Sequence, residues 1–208
     1  YELRLSLVGS EMCIRDRCHI GFFPEQPLII AAVSGPVAET RSIALRNIVE
    51  SDEFGQTFPS VRPAAGMLWT TTKWSVAEEG RPHAGRLHPT VSAYGTGGSV
   101  TGSRAQLLIA DDILDYDNTR TQHQRNVVDT WFHTSLLPRL MAQTGRAIVI
   151  GNTYHHADTI ALLRRSEGWV TCHIPLLSEG EEVLASITYP SDFAGRPIGV
   201  PVAGALPA

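Results

Sequence analysis

The chain has 208 residues, room for one domain and an appendage. Its 43% hydrophobic and 18% charged residues are ordinary for a soluble globular protein with a sizeable core, and a formal net charge of −4 gives no global basic field that would advertise a nucleic-acid partner. Cysteines 13, 18 and 172 have no paired spacing, and the longest apolar run, residues 28–33, is far too short to cross a bilayer, so disulfide-dense, fibrous and membrane-spanning classes are excluded.

Residues 1–17 show neither a signal-peptide layout nor a helical period. The stretch 6–17, SLVGSEMCIRDR, resembles the translated sequencing-adapter read-through found at the ends of assembled metagenomic reading frames. The alternative is a short native strand over residues 2–8 at a sheet edge. On the adapter reading the natural sequence begins near Cys18, leaving Cys18 and Cys172 as isolated thiols that suit a reducing cytosol.

From residue 27 onward, short apolar runs alternate with helical patterns. Residues 28–33 lack polar alternation and predict a strand buried on both faces. Ser34, Gly35 and Pro36 then open a helix to about Glu50, with Val37, Ala44, Leu45 and Ile48 forming its apolar stripe. Residues 51–91 are mixed and rich in Pro and Gly: a hairpin or insertion with a strand over 67–75, a loop over 78–89, and Phe54, Phe58, Trp69 and Trp74 as packing anchors. A glycine-rich stretch, residues 95–102, precedes the apolar strand Leu107, Leu108, Ile109, Ala110. A helical pattern covers 119–142, bent at Pro138 because an interior proline removes a backbone donor. Residues 147–150 are another apolar strand, Asp158 caps a short helix to Arg165, and 169–174 supply a further strand. This rhythm predicts an α/β fold with a parallel sheet covered by helices. Beyond Ser178 the pattern decays into Gly, Pro and Ala, as in a linker or the start of a further domain.

The chemistry concentrates where Leu107–Ala110 runs directly into Asp111 and Asp112. Ligands of open parallel sheets bind beyond the carboxyl ends of the strands. There, a first carboxylate is placed to hold Mg²⁺, and a second to orient or deprotonate water attacking a γ-phosphate, which is the logic of a Walker B element. Such a run also arises wherever a strand meets a polar loop. Arg104 lies just upstream, and the next apolar strand ends in Gly151, Asn152 and Thr153, of which Asn152 or Thr153 is placed to sense a γ-phosphate across the strand tips.

Residues 27–175 resemble the ATPase domain of the large terminase subunit of tailed bacteriophages, the motor that packages viral DNA. The matching pieces are the first buried strand with Ser34, residues 44–50 with Phe58 and Pro59, the 94–104 loop, residues 107–112 as Walker B, and residues 148–158 as the following coupling motif. The resemblance implies an N-terminally truncated RecA-like P-loop NTPase over residues 18–178, with 179–208 as linker or a further domain. It implies Mg²⁺ and ATP as cofactors, Asp111 as metal ligand, Asp112 and Arg104 as catalytic groups, and Asn152 and Thr153 at the nucleotide. It also implies double-stranded DNA, a portal protein and the small terminase subunit as partners, a homo-oligomeric ring, a separate nuclease domain, and action in the cytoplasm of the infected bacterium.

Two departures stand out. The acid pair is Asp-Asp where such motors often carry Asp-Glu. No Gly-Lys-Ser/Thr exists, and Lys73, the sole lysine, lacks the glycines needed to cradle phosphates. The expectation is therefore that the phosphate loop preceded Cys18 and that this polypeptide alone is inactive. Arg104 has two readings, an arginine finger acting on a neighbouring subunit or a surface ion pair. Asp115 and Asp117 read as a solvated acidic turn, and His155, His156 and Asp158 as structural or capping residues. Two other functions stay open: a metal-dependent nuclease using Asp111, Asp112, Asp115 and His155, and a non-catalytic α/β binding module.

Overall fold

The computed structural model describes residues 10–80, 87–173 and 186–188. The chain divides into two compact units, Tyr1–Tyr154 and His155–Ala208.

In the first unit, helix α1 (Ser10–Phe22) leads into strand β1 (Leu28–Ala32), whose five apolar residues are all buried. Helix α2 (Gly35–Val49) follows, with Pro36 in the first turn, where its missing N–H costs nothing. Helix α3 (Asp52–Thr57) is capped by Ser51, whose hydroxyl accepts from the Phe54 N–H at 3.2 Å, and Asp52 and Glu53 complement its N-terminal dipole. Three short strands come next, β2 (Val61–Pro63), β3 (Lys73–Trp74) and β4 (Val76–Glu78), and then β5 (Val91–Gly95), which is buried throughout. Strand β6 (Leu107–Asp111) is followed by helices α4 (Tyr116–Thr119) and α5 (Gln122–Trp131) and by β7 (Arg146–Ile150).

The main sheet has the order β3-β5-β1-β6-β7. Strand β1 pairs in parallel with β5 and β6, and β6 in parallel with β7; only β3 runs antiparallel. Register places Ile30 between Ala93 and Ile109, so Leu28, Ile30, Val91 and Ile109 share one face. On that face they form one core with Ile20 of α1, Leu45 and Val49 of α2, and Phe54 and Trp74. The Trp74 indole N–H donates to the Ser42 hydroxyl at 2.9 Å, satisfying two buried polar groups. The opposite face, with Ile29 and Leu108, is equally buried, as a parallel sheet requires.

In the second unit, helix α6 (Thr159–Leu163) is capped by Asp158, and strand β8 (Thr171–His173) pairs antiparallel with β9 (Ser186–Thr188).

The predicted α/β architecture with a largely parallel, helix-flanked sheet is present, as are the strands near 28–33, 107–110 and 147–150 and the helix from residue 35. Several details differ. The strand expected over 67–75 shrinks to β3, with a bridge from Trp69 to Trp74, because Thr70 turns the chain by bonding Lys73 through both its backbone and its hydroxyl. Residues 10–17, without a helical period of apolar residues, are nonetheless helical. The helix expected over 119–142 breaks into α4, α5, a π-helical turn (Phe132–Leu136) and a 3-10 turn (Leu137–Arg139) containing Pro138, which has no N–H to donate to the preceding turn. The strand expected over 169–174 is present as β8, but it belongs to a separate two-stranded sheet. The 2–8 alternative and most of the 179–208 tail lie outside the described residues; within the tail, 186–188 form β9.

Candidate functional site

Parallel pairing aligns the carboxyl ends of β1, β5, β6 and β7 along one edge, and Asp111 is the last residue of β6, opposite Ile150 of β7. Its backbone belongs to the sheet and its side chain is 5% exposed. The Arg41 guanidinium, from α2, reaches across β1: Nη1 lies 2.8 Å from Asp111 Oδ2 and also donates to the Asp111 carbonyl at 2.5 Å. Among the described residues Asp111 Oδ1 is buried without a hydrogen-bond partner. Burial raises the Asp111 carboxyl above its ordinary value; Arg41 pulls it down, Asp112 pushes it up, Arg15 pulls it down and Asp16 pushes it up, and the balance stays raised.

Asp112 differs in kind. Its φ is +47°, a left-handed conformation uncommon for any residue but glycine and tolerated best by Asn and Asp. Its N–H donates to the Ile150 carbonyl at 2.9 Å, extending the β6–β7 ladder by one bond. The reversed backbone turns its side chain outward, 51% exposed, with Oδ2 3.5 Å from Arg41 Nη2. One carboxylate is thus sequestered and its neighbour is open to solvent. Such division of two adjacent acids by environment is how sites assign different tasks to like groups.

Asn152 and Thr153 follow Gly151 just beyond the end of β7 and are exposed, so they leave the strand adjacent to the one that presents Asp111. Arg104 precedes β6 and therefore sits at the other end of that strand, roughly 15–20 Å of extended chain from Asp111. It is exposed and donates to the Pro138 carbonyl at 3.2 Å. Asp115 is the N-cap of α4 in a reciprocal capping box with Asn118, which accounts for its carboxylate. In the second unit, Asp158 accepts from the Ala161 and His155 N–H groups, and His155 Nδ1 accepts from the Ala157 N–H. Asp158 and His155 therefore organise a turn. Among the described residues no three or more His, Cys, Asp or Glu side chains gather as a metal cluster.

The glycine-rich loop has a packing task. A Cβ on Gly95 would lie 2.2 Å from the Gly35 nitrogen, so only glycine lets the end of β5 approach the turn into α2. Lys73 lies in β3 with Nζ 5.5 Å from the Tyr94 ring centroid. Sequence reasoning missed Arg41, which sits in a helix without a motif and meets Asp111 only through the fold; Asp16, within the adapter-like stretch, also comes within electrostatic reach of Asp111. Asp16 is buried, with Oδ1 2.7 Å from Arg15 Nε, and its carboxyl is raised by burial against the opposing pull of Arg15 and Arg41.

No protein-family profile matches the chain. It is 27% identical over 157 residues to a terminase large subunit of Enterobacteria phage T3, an alignment covering 74% of this chain and 25% of that protein. Over that stretch the chain is similar to a phage terminase large subunit. It spans about a quarter of the length of that curated relative. Among the described residues no helix is long and apolar enough to cross a membrane.

Proposed function

We propose that the chain is part of the ATPase domain of a phage DNA-packaging motor, with Asp111 as the magnesium ligand and Asp112 as the residue that orients or deprotonates the attacking water. The observation that carries this reading is the unpartnered Oδ1 of a buried carboxylate at the carboxyl end of a parallel strand. A hard cation that accepts one or two carboxylates and keeps several waters fits such an oxygen. Mg²⁺, when bound, neutralises phosphate charge and orients the nucleotide. Arg41 holds the Asp111 carboxylate by its other oxygen, leaving Oδ1 for the ion. Asp112, turned to solvent by its backbone, has the freedom to meet a water. Asn152 and Thr153, leaving the adjacent strand, contact the γ-phosphate and report its presence to the fold.

The relationship to a terminase large subunit supports the assignment to DNA packaging, and with it double-stranded DNA, a portal protein and a small terminase subunit as partners in the cytoplasm of an infected bacterium. Arg104, at the far end of β6, is assigned to the nucleotide of a neighbouring subunit in a ring. The phosphate-cradling loop of the P-loop class is assigned to polypeptide ahead of Cys18. The nuclease reading has less support, because a second metal needs further carboxylates converging on Asp111.

Mg-ATP turnover tests the proposal. The 208-residue chain shows none above background. A chain extended upstream through a strand, a glycine loop and Lys-Ser/Thr hydrolyses ATP, and Asp111→Asn or Asp112→Asn returns it to background. Magnesium-dependent turnover by the purified 208-residue chain contradicts the assignment of the phosphate loop.

A further inference from the structure

We infer that Arg41 is a positioning residue that sets which cation the acid pair accepts, favouring magnesium over calcium. The inference deepens the reading of Asp111 as a metal ligand and rests on it. Asp111 offers an ion three oxygens, its two carboxylate atoms and its backbone carbonyl. Arg41 engages two of them: Nη1 lies 2.8 Å from Oδ2 and 2.5 Å from the carbonyl oxygen. Its Nη2 lies 3.5 Å from Oδ2 of Asp112, so the neighbouring carboxylate is drawn to the same guanidinium. Of the Asp111 oxygens, Oδ1 is the one left without a hydrogen-bond partner.

The fold fixes this arrangement. Ala32 at the end of β1, Ala38 of α2 and Ala93 of β5 pack together, and their small side chains let α2 lie close over the sheet there. Arg41 comes three residues after Ala38, on the same side of the helix, and its guanidinium reaches across β1 to β6. With its side chain 23% exposed, it is shielded from most of the water that would compete for its bonds. Both bonds to Asp111 come from one nitrogen of a planar, rigid fork. Arg41 therefore cannot release Oδ2 without disturbing the carbonyl as well.

The two ions differ in what they ask of such a site. Calcium gathers about six to eight oxygens, commonly both oxygens of a carboxylate together with backbone carbonyls. Magnesium demands a strict octahedron, keeps several of its waters, and is held through one or two carboxylates. An Asp111 whose Oδ2 and carbonyl are engaged offers a single inner oxygen, enough for magnesium and too few for calcium. Chelation through both carboxylate oxygens would also set a dication against the guanidinium that lies 2.8 Å from one of them. Without Arg41, Oδ2 and the carbonyl are released as calcium ligands.

Competition for Mn²⁺ tests the inference on the isotope-labelled 208-residue chain, with no nucleotide and no turnover required. Mn²⁺ broadens the Asp111 amide, and Mg²⁺ and Ca²⁺ are titrated separately to restore it. In the parent, Mg²⁺ displaces Mn²⁺ at a concentration at least about fivefold lower than Ca²⁺ does. In Arg41→Gln the two concentrations come within about twofold of each other, or their order reverses. Loss of a positive charge strengthens the binding of all three dications together, so the ratio, unlike affinity or stability, reports the freed oxygens. Arg41→Lys keeps the charge, but an ammonium is a compact point charge without the fork, and its ratio falls at least about twofold below the parent's. This variant decides the matter should Arg41→Gln lose its folded amide spectrum. A parent that binds calcium as well as magnesium, or a parent ratio retained in the folded variants, overturns the inference and leaves Asp111 as a metal ligand. No broadening at Asp111, or broadening undiminished in Asp111→Asn, overturns both.

Discussion

Replacing Arg41 with Met removes the guanidinium that holds Asp111 while keeping most of the aliphatic stem. Asp111 is 3% exposed, so the substitution leaves a buried carboxylate whose Oδ2 has lost its 2.8 Å partner and whose Oδ1 had none. Removing one member of a fully buried pair costs about 3–5 kcal/mol. The Arg41 side chain is 23% exposed, so solvent screens part of the interaction and the expected loss is about 2–3 kcal/mol at pH 7.

The pH dependence follows from the direction of the Asp111 shift. Its carboxyl sits above the ordinary value of 3.8, so ionising it in the folded state costs stability. That cost is absent below the unfolded value and appears as pH rises through the folded one. Losing Arg41 raises the folded value further. The penalty is therefore complete at neutral pH and fades as pH falls towards 4. Urea unfolding followed by tryptophan fluorescence at pH 7 and pH 4 measures both values, and Arg41→Met combined with Asp111→Asn isolates the coupling. A loss under about 0.5 kcal/mol at pH 7, the range of an exposed ion pair, or a loss unchanged at pH 4, refutes the reasoning.

Other substitutions separate backbone from charge. Asp112→Gly keeps the left-handed turn and is expected to unfold within about 0.5 kcal/mol of the parent, whereas Asp112→Val forces a branched residue into it and costs about 1–2 kcal/mol; equal urea midpoints for the two variants count against strain at this position. Asp158→Ala strips two N–H groups of their acceptor and lowers the stability of the second unit by about 1–2 kcal/mol, read as faster amide exchange across Thr159–Leu163; unchanged exchange there denies the capping role.

The apolar runs ahead of Asp111 and Asn152 were legible because a strand buried on both faces writes its burial as an unbroken run. Asp158 was legible as a cap for a local reason, its spacing to the helix it starts. Arg41 was not: an arginine on a helix reads as a solvated face, and only parallel pairing of β1 with β6 brings it to a carboxylate 70 residues away. Strand β5 carries no strand signal in the sequence, since Ser92, Ala93, Tyr94 and Gly95 lack the branched character of its neighbours. Its burial comes from tertiary packing on both sides. The broken helix around Pro138 shows the limit of period counting, which registers apolar spacing but not where the hydrogen-bond ladder changes pitch.

Paramagnetic broadening by Mn²⁺, used in place of Mg²⁺ on the isotope-labelled 208-residue chain, tests the central assignment most directly. Broadening is expected to centre on the amides of Asp111, Asp112 and Gly151 and to disappear in Asp111→Asn. Broadening centred on Asp115 and Asp117 or on the His155–His156 turn, or persisting undiminished in Asp111→Asn, contradicts it.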